Sequence, residues 1–217
     1  MVKDLVVVGT GGWDVVPLIE DINADKKVFN FLGFLEKDKE KHGQELYGYP
    51  ILGDDNLLLK ECRHCCVVNN VMHTTRAHEK VAQMLMDTYS ITEFPSLIHP
   101  SVRTKYSTVG IGNIIYPGAV LGMGSYIGDF NIIERAIIGH ETIIKNYNLL
   151  AACLVGSRCK VGSYNLIGNS ATLANHVKLG DDNEIGTGAV VITKIKSGHH
   201  LMGNPAVEMD DFIKHNF

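Results

Sequence analysis

The chain has 217 residues, enough for one large domain or two small ones. A formal net charge of −4 and a pI of about 6.2 exclude a global electrostatic pull toward nucleic acid or an anionic membrane. No apolar span suits a transmembrane helix, and Met1-Val2-Lys3-Asp4 leads at once into a strand-like run, so neither membrane insertion nor a signal peptide is expected. The 5 cysteines, odd in number and irregularly spaced, suit reduced thiols in the cytoplasm.

Leu5-Val6-Val7-Val8-Gly9 reads as a buried parallel strand. Thr10-Gly11-Gly12 is a turn, and Trp13 to Ile22 has helical spacing of its apolar residues. Val28 to Leu35 is a second strand, Lys37 to Gly43 a charged loop, Cys65 to Val71 a third strand, and Thr75 to Met86 a helix. This order predicts a small Rossmann-like α/β domain over residues 1–96, with its boundary near Pro95 to Pro100. A glycine-rich turn before a helix lets backbone N–H groups approach an anion. Here Asp14 stands where the third glycine of G-x-G-x-x-G would fall, so a dinucleotide site and a tight turn without a ligand both remain open. The cluster Cys62-Arg63-His64-Cys65-Cys66 has no second ligand pair to complete a tetrahedral zinc site, and no metal is expected there.

From Val109 a branched or leucine side chain recurs every sixth residue: Ile115, Leu121, Ile127 and Ile133. After one step of four, the run resumes at Ile137 and continues through Ile143, Leu149, Val155, Val161, Ile167, Leu173, Leu179, Ile185 and Val191. This period fits neither a helix nor an alternating strand; it is the pattern of a hexapeptide-repeat parallel β-helix, expected over residues 97–206 with a tail at 207–217. The aliphatic residue points inward, the residue after it is often glycine, and the residue two before it is often small, as at Ala119, Ser125, Cys153, Cys159, Ala171 and Ala189. Three hexads make a coil, giving five to six coils.

Ile138-Gly139-His140-Glu141-Thr142-Ile143 is the segment richest in chemistry. A histidine titrates near neutrality and suits a general base, and a carboxylate can orient its ring. Neighbouring residues meet in this way only where the chain bends. On residues alone His140 is a base or a surface turn residue. His176 occupies the same hexad position 36 residues later, hence two coils away and about 10 Å distant. That separation argues against one zinc between the two histidines of a single chain. His99 reads as a cap or junction residue, and His199 and His200 as part of an exposed loop.

The hexads of residues 97–206 resemble the left-handed β-helix of hexapeptide acyltransferases. Gly9-Thr10-Gly11-Gly12, Leu18-Ile19-Glu20-Asp21-Ile22-Asn23 and Tyr49-Pro50-Ile51-Leu52-Gly53-Asp54-Asp55 resemble, more narrowly, the sialic acid O-acetyltransferase and bacillosamine-pathway N-acetyltransferase group. Gly139-His140-Glu141 is similar to the Gly-His-Asp or Glu-His-Glu hallmark of that group. The resemblance implies a homotrimer that binds acetyl-CoA between neighbouring prisms and transfers acetyl to an amino or hydroxyl group of a sugar or nucleotide sugar in surface glycan synthesis. It makes His140 the general base and Glu141 the residue that raises its basicity. It places Gly11, Gly12, Trp13, Glu36 and Lys37 at the acceptor site, and Leu149, Gly156, Gly168, Asn169, Gly186 and Thr187 along acetyl-CoA. Gly203-Asn204-Pro205-Ala206 resembles the final turn near the CoA nucleotide. Val207 stands where a basic residue is usual, leaving Lys178, Lys194 and Lys196 to meet the CoA phosphates or to remain solvated. No metal is implied, and no cysteine is placed as a nucleophile. Two other functions fit the same fold: a non-catalytic nucleotide-sugar-binding protein and a metal-dependent lyase.

Overall fold

A computed structural model describes residues 2–12 and 14–216, and the chain divides into two compact units, Met1–His99 and Pro100–Phe217. In the first, β1 (Lys3–Val8), α1 (Val15–Asn23), β2 (Phe29–Leu35), β3 (Glu45–Leu46), β4 (Tyr49–Gly53), β5 (Cys66–Asn69) and α2 (Thr75–Asp87) follow in order. The sheet runs β3-β4-β2-β1-β5, with β4, β2, β1 and β5 parallel and β3 antiparallel to β4. Leu5 to Val8 are buried throughout, as a strand flanked by a neighbour on each side and covered on both faces requires. Thr74 caps α2, its hydroxyl accepting from the Ala77 N–H at 3.0 Å. The hairpin of β3 and β4 was not anticipated; its turn pairs Tyr47 and Gly48, both at positive φ, the geometry of a tight hairpin loop. The segment expected as a loop after β2 contains a short 3₁₀ turn, Lys39–Lys41.

The second unit is a parallel β-helix. Its strands of two or three residues stack in three columns: one runs from Thr108–Val109 to Lys178–Leu179, one from Val120–Leu121 to Val190–Val191, and one from Ile114–Ile115 to His200–Met202. Ile115, Leu121, Ile127 and Ile133 fill the core as expected, and Val155 onward does so again. Between them the assignment of inward residues is corrected. Ile137 and Ile143 are 48% and 38% exposed and Leu149 is half-buried, whereas Ile138, Ile144 and Leu150 point inward. The physical reason is two single-residue deletions rather than one step of four. Each falls at the same corner, where Arg135 and Ala152 take positive φ. Coils that are 18 residues long on either side are 17 long here. A one-residue slip turns a strand inside out.

An asparagine ladder, also unforeseen, lines one corner of this core. Asn113, Asn131, Asn148, Asn165 and Asn183 are all buried, each two residues before an inward aliphatic side chain. Each Oδ1 accepts from the backbone N–H and the Nδ2 of the next asparagine, at 2.9 and 3.0 Å for Asn148 on Asn131. The last, Asn183, accepts from the His199 N–H at 2.9 Å. Beside the ladder the rings of Phe130, Tyr147 and Tyr164 stack nearly parallel, 5.2 and 5.5 Å apart. The tail carries a strand, Val207–Glu208, paired with His200–Met202, and a helix, α3 (Met209–Asn216). His200 therefore belongs to a strand and not to a loop.

Replacing Asn148 by alanine removes one rung and strands the Asn165 donors that bond its Oδ1 at 2.9 and 3.0 Å. A loss of about 3 kcal/mol is expected, read as a lower thermal midpoint of the β-helix. An unchanged midpoint would mean that the ladder is not holding the coils together.

Candidate functional site

His140 sits on an edge of the prism whose backbone geometry leaves little choice of sequence. Gly122 and Gly139 stack one above the other there; a Cβ on Gly122 would lie 2.5 Å from His140 N, and one on Gly139 2.5 Å from Ser157 N. At these two positions only glycine lets successive coils close at strand spacing. The His140 carbonyl accepts from the Arg158 N–H at 2.9 Å, which fixes its backbone. Its ring is exposed and has no hydrogen-bond partner among the described residues.

The chain does bend at Glu141, with φ of 54°. The carboxylate, however, is turned to the coil below, where its Oε2 accepts from Arg158 Nε at 2.8 Å. That hydrogen bond and the charge of the guanidinium hold the Glu141 carboxyl below the ordinary glutamate range. His176 is not in the column of His140. Glu141, Arg158 and His176 share one left-handed corner position, with φ of 54°, 57° and 67°. His140 is followed in its own column by Ser157, whose N–H donates to Asn175 Oδ1 at 2.8 Å. The deletion after Leu150 produces this offset. No group of three or more His, Cys, Asp and Glu able to hold a metal occurs among the described residues.

The residues assigned to acetyl-CoA fall on separate parts of the prism. Gly156 shares the edge of His140, since a Cβ on Gly139 would meet it at 2.7 Å. Gly168, Asn169, Gly186 and Thr187 form a different edge, where the Gly168 N–H donates to Ile185 O at 2.8 Å and the Gly188 N–H to Asn169 O at 2.9 Å. Leu149 lies on the third column, facing out. Lys178, Lys194 and Lys196 line a shallow groove of about 490 Å³ together with Lys145 and Lys160, two cations the sequence reading passed over. All five cysteines are buried. Burial pushes the Cys153 and Cys65 thiols up to about 12 and Cys66 to about 11, and raises Cys62 and Cys159 as well. Such thiols are poor nucleophiles near neutrality.

A second concavity, of about 450 Å³, opens in the first unit at the C-terminal ends of its parallel strands. Gly11, Glu36 and Lys37 line it. Gly12 is buried just behind, where a Cβ would lie 2.5 Å from Asn70 Oδ1. Trp13 lies outside the described residues. Asp14 is exposed at the start of α1 and makes no capping hydrogen bond. Asn70 Nδ2 clamps the glycine turn by donating to the Gly9 and Gly12 carbonyls at 3.2 and 3.0 Å. Glu36 accepts from Thr10 Oγ1 at 2.5 Å and from the Lys37 N–H at 2.8 Å. Burial opposes its ionisation, but these donors, the Asp38 N–H and Lys41 outweigh it, so the carboxyl sits below the ordinary range. Asp55, also in the lining, is 3% exposed, and its Oδ1 is buried without a hydrogen-bond partner. Burial raises its pKa; Lys37 opposes this, and Asp54 and Glu36 add to it. Asp55 and Asn70 were missed as site residues, though both follow directly on strands at the sheet edge where ligands bind.

No protein-family model matches the chain, and no curated protein sequence does. Solved structures do. PerB from Caulobacter crescentus, in complex with CoA and GDP-perosamine, is 24% identical with a TM-score of 0.83 over 96% of this chain and 98% of that one. The acetyltransferase domain of PglB from Neisseria gonorrhoeae is 22% identical with a TM-score of 0.81, covering 95% of this chain and 100% of that domain. WeeI from Acinetobacter baumannii is 19% identical with a TM-score of 0.69 over 94% and 99%. The likeness spans both units and shows that this chain has the fold of those proteins: a Rossmann-like unit followed by a left-handed parallel β-helix.

Exchanging Arg158 for alanine should return the Glu141 carboxyl toward the ordinary glutamate value, measured by NMR titration. In the parent chain this depressed carboxyl favours the folded state above its unfolded pKa, a contribution lost as pH falls through the lowered value. A titration identical in the two proteins would show that Arg158 does not hold the carboxylate.

Proposed function

We propose that the chain is an acetyl-CoA-dependent acetyltransferase acting on the amino or hydroxyl group of a sugar or nucleotide sugar, in the cytoplasm and for surface glycan synthesis. The observation that carries this reading is the His140 ring, exposed at a glycine-stacked edge and free of hydrogen bonds among the described residues. A base must have its ring nitrogen open to the acceptor proton. The full-length likeness to PerB, whose structure holds CoA and GDP-perosamine, supports acetyl-CoA and a nucleotide sugar as the substrates. Two further matched structures of that Caulobacter enzyme carry one histidine exchanged for asparagine or alanine.

In this mechanism His140 takes the proton of the acceptor as its nitrogen or oxygen attacks the thioester carbonyl. The tetrahedral oxyanion collapses, the C–S bond breaks, and the proton passes to the leaving CoA thiolate. Transfer is direct; five buried thiols with raised pKa supply no acyl-enzyme nucleophile. Glu141 supports the turn that presents the ring and contributes its charge through the ion pair with Arg158.

The acetyl-CoA residues support a homotrimer. Gly156 lies on the edge of His140, and Gly168, Asn169, Gly186 and Thr187 lie on another, so one prism does not bring them together. A second copy that sets one edge against the other would complete the site. Light scattering should give the mass of three chains, and a monomer at assay concentration would overturn the shared site.

The direct test is release of CoA thiol on mixing the protein with acetyl-CoA and a panel of amino and nucleotide sugars. His140→Ala should lower kcat by about 10²–10⁴-fold while acetyl-CoA still binds. No acetyl-CoA binding at millimolar concentration and no thiol release with any sugar would sink this reading. It would favour a non-catalytic sugar-nucleotide binder.

A further inference from the structure

We propose that Asp55 reads the nucleobase of the bound substrate and selects guanine, making the acceptor a guanosine-diphosphate sugar. This rests on the reading of the first unit's cavity as a nucleotide-sugar site. The sheet sets the order of the subsites. β1, β2 and β4 are adjacent and parallel, so their C-terminal ends lie along one edge. The glycine turn follows β1, Glu36 follows β2, and Asp55 follows β4. Each step along this edge is about 4.8 Å.

A diphosphate belongs at the glycine turn, where Thr10 and Gly11 line the cavity and Lys37 and Lys41 supply positive charge. The ribose then falls at Glu36. Its Oε1 already accepts from the Lys37 and Asp38 N–H groups, whereas Oε2, which accepts from Thr10 and lies 3.7 Å from Lys41 Nζ, keeps a site for a hydroxyl. The base falls at Asp55, about 10 Å from the glycine turn.

Asp55 has the chemistry of a reader that is short of a partner. It is 3% exposed, lines the cavity, and has a carboxylate oxygen buried without a hydrogen bond. An acceptor of this kind is costly unless a ligand donates to it. Guanine presents N1–H and N2–H as parallel donors that match the two oxygens of a carboxylate. Uracil presents a single N3–H flanked by two carbonyl oxygens, which repel a carboxylate. Adenine and cytosine each pair one amino donor with a ring-nitrogen acceptor. Guanine is therefore the base this side chain favours.

The test titrates GDP and UDP into the full chain and into its Asp55→Asn variant by calorimetry. The parent chain should bind GDP at least about tenfold more tightly than UDP. Asparagine offers one acceptor and one donor, so the variant should lose GDP affinity by about tenfold or more and gain relative affinity for UDP. The parent ratio needs no variant and so stands whether or not Asp55→Asn folds, which thermal unfolding checks. Equal or tighter UDP binding by the parent overturns the proposal. So does a GDP-to-UDP ratio unchanged in a folded variant, or binding of neither nucleotide at millimolar concentration. Acetyl transfer on the same preparations separates the two readings. Transfer intact without guanine preference overturns base reading alone. Guanine preference without transfer on any sugar supports base reading and overturns the acetyltransferase.

Discussion

Every coil of a parallel β-helix satisfies its backbone through the coils above and below it, at strand spacing and nowhere else. That one constraint governs what the sequence can contain. Where backbones pass as closely as they do at Gly122 and Gly139, a Cβ does not fit, which is why glycine stands at both. The interior is too narrow for more than one large side chain per hexad. The position two before it must be small, or polar with its own partners in the same direction. Cys159, Ala171 and Ala189 meet the first condition, and the five ladder asparagines meet the second. The ladder works because an amide side chain is donor and acceptor at once, so identical residues can bond along a translation. A backbone N–H at each rung is satisfied in the same stroke.

The six-residue period was visible in the sequence because burial at one position per hexad is the strongest repeating demand on composition. The register was not, for a local reason. Ile137-Ile138, Ile143-Ile144 and Leu149-Leu150 are doublets of equivalent residues, so hydrophobicity cannot say which member turns inward. Only the corner residues settle it. Arg135 and Ala152 take positive φ at corners shortened by one residue, a conformation that neither side chain advertises. The same slip moved His176 out of the column of His140. The ladder escaped notice because asparagine reads as loop chemistry in a single segment; its meaning appears only when residues one coil apart are set side by side.

The two candidate sites were legible in proportion to how locally their parts act. His140, the glycine turn after β1, and Glu36 are recognisable because each works within a few residues of a turn or strand end. Asp55 and Asn70 are assembled through the sheet order, which places strands distant in sequence along one edge. Arg158 is a coil away from Glu141 and enters only through stacking.

That stacking alters how the His140 edge is to be understood. A carboxylate adjacent in sequence to a histidine suggests a dyad in which its charge acts on the ring. Here the carboxylate already shares its charge with a guanidinium in the next coil, and both groups are solvated. A solvated ion pair exerts a weak field compared with a lone buried carboxylate. What Glu141 supplies without qualification is backbone: its left-handed conformation turns the chain and leaves the ring beside it facing out. A histidine presented in this way owes its position to the glycine column beneath it more than to its neighbour's charge. The residues with most control over the position of His140 are therefore the ones with no side chain at all.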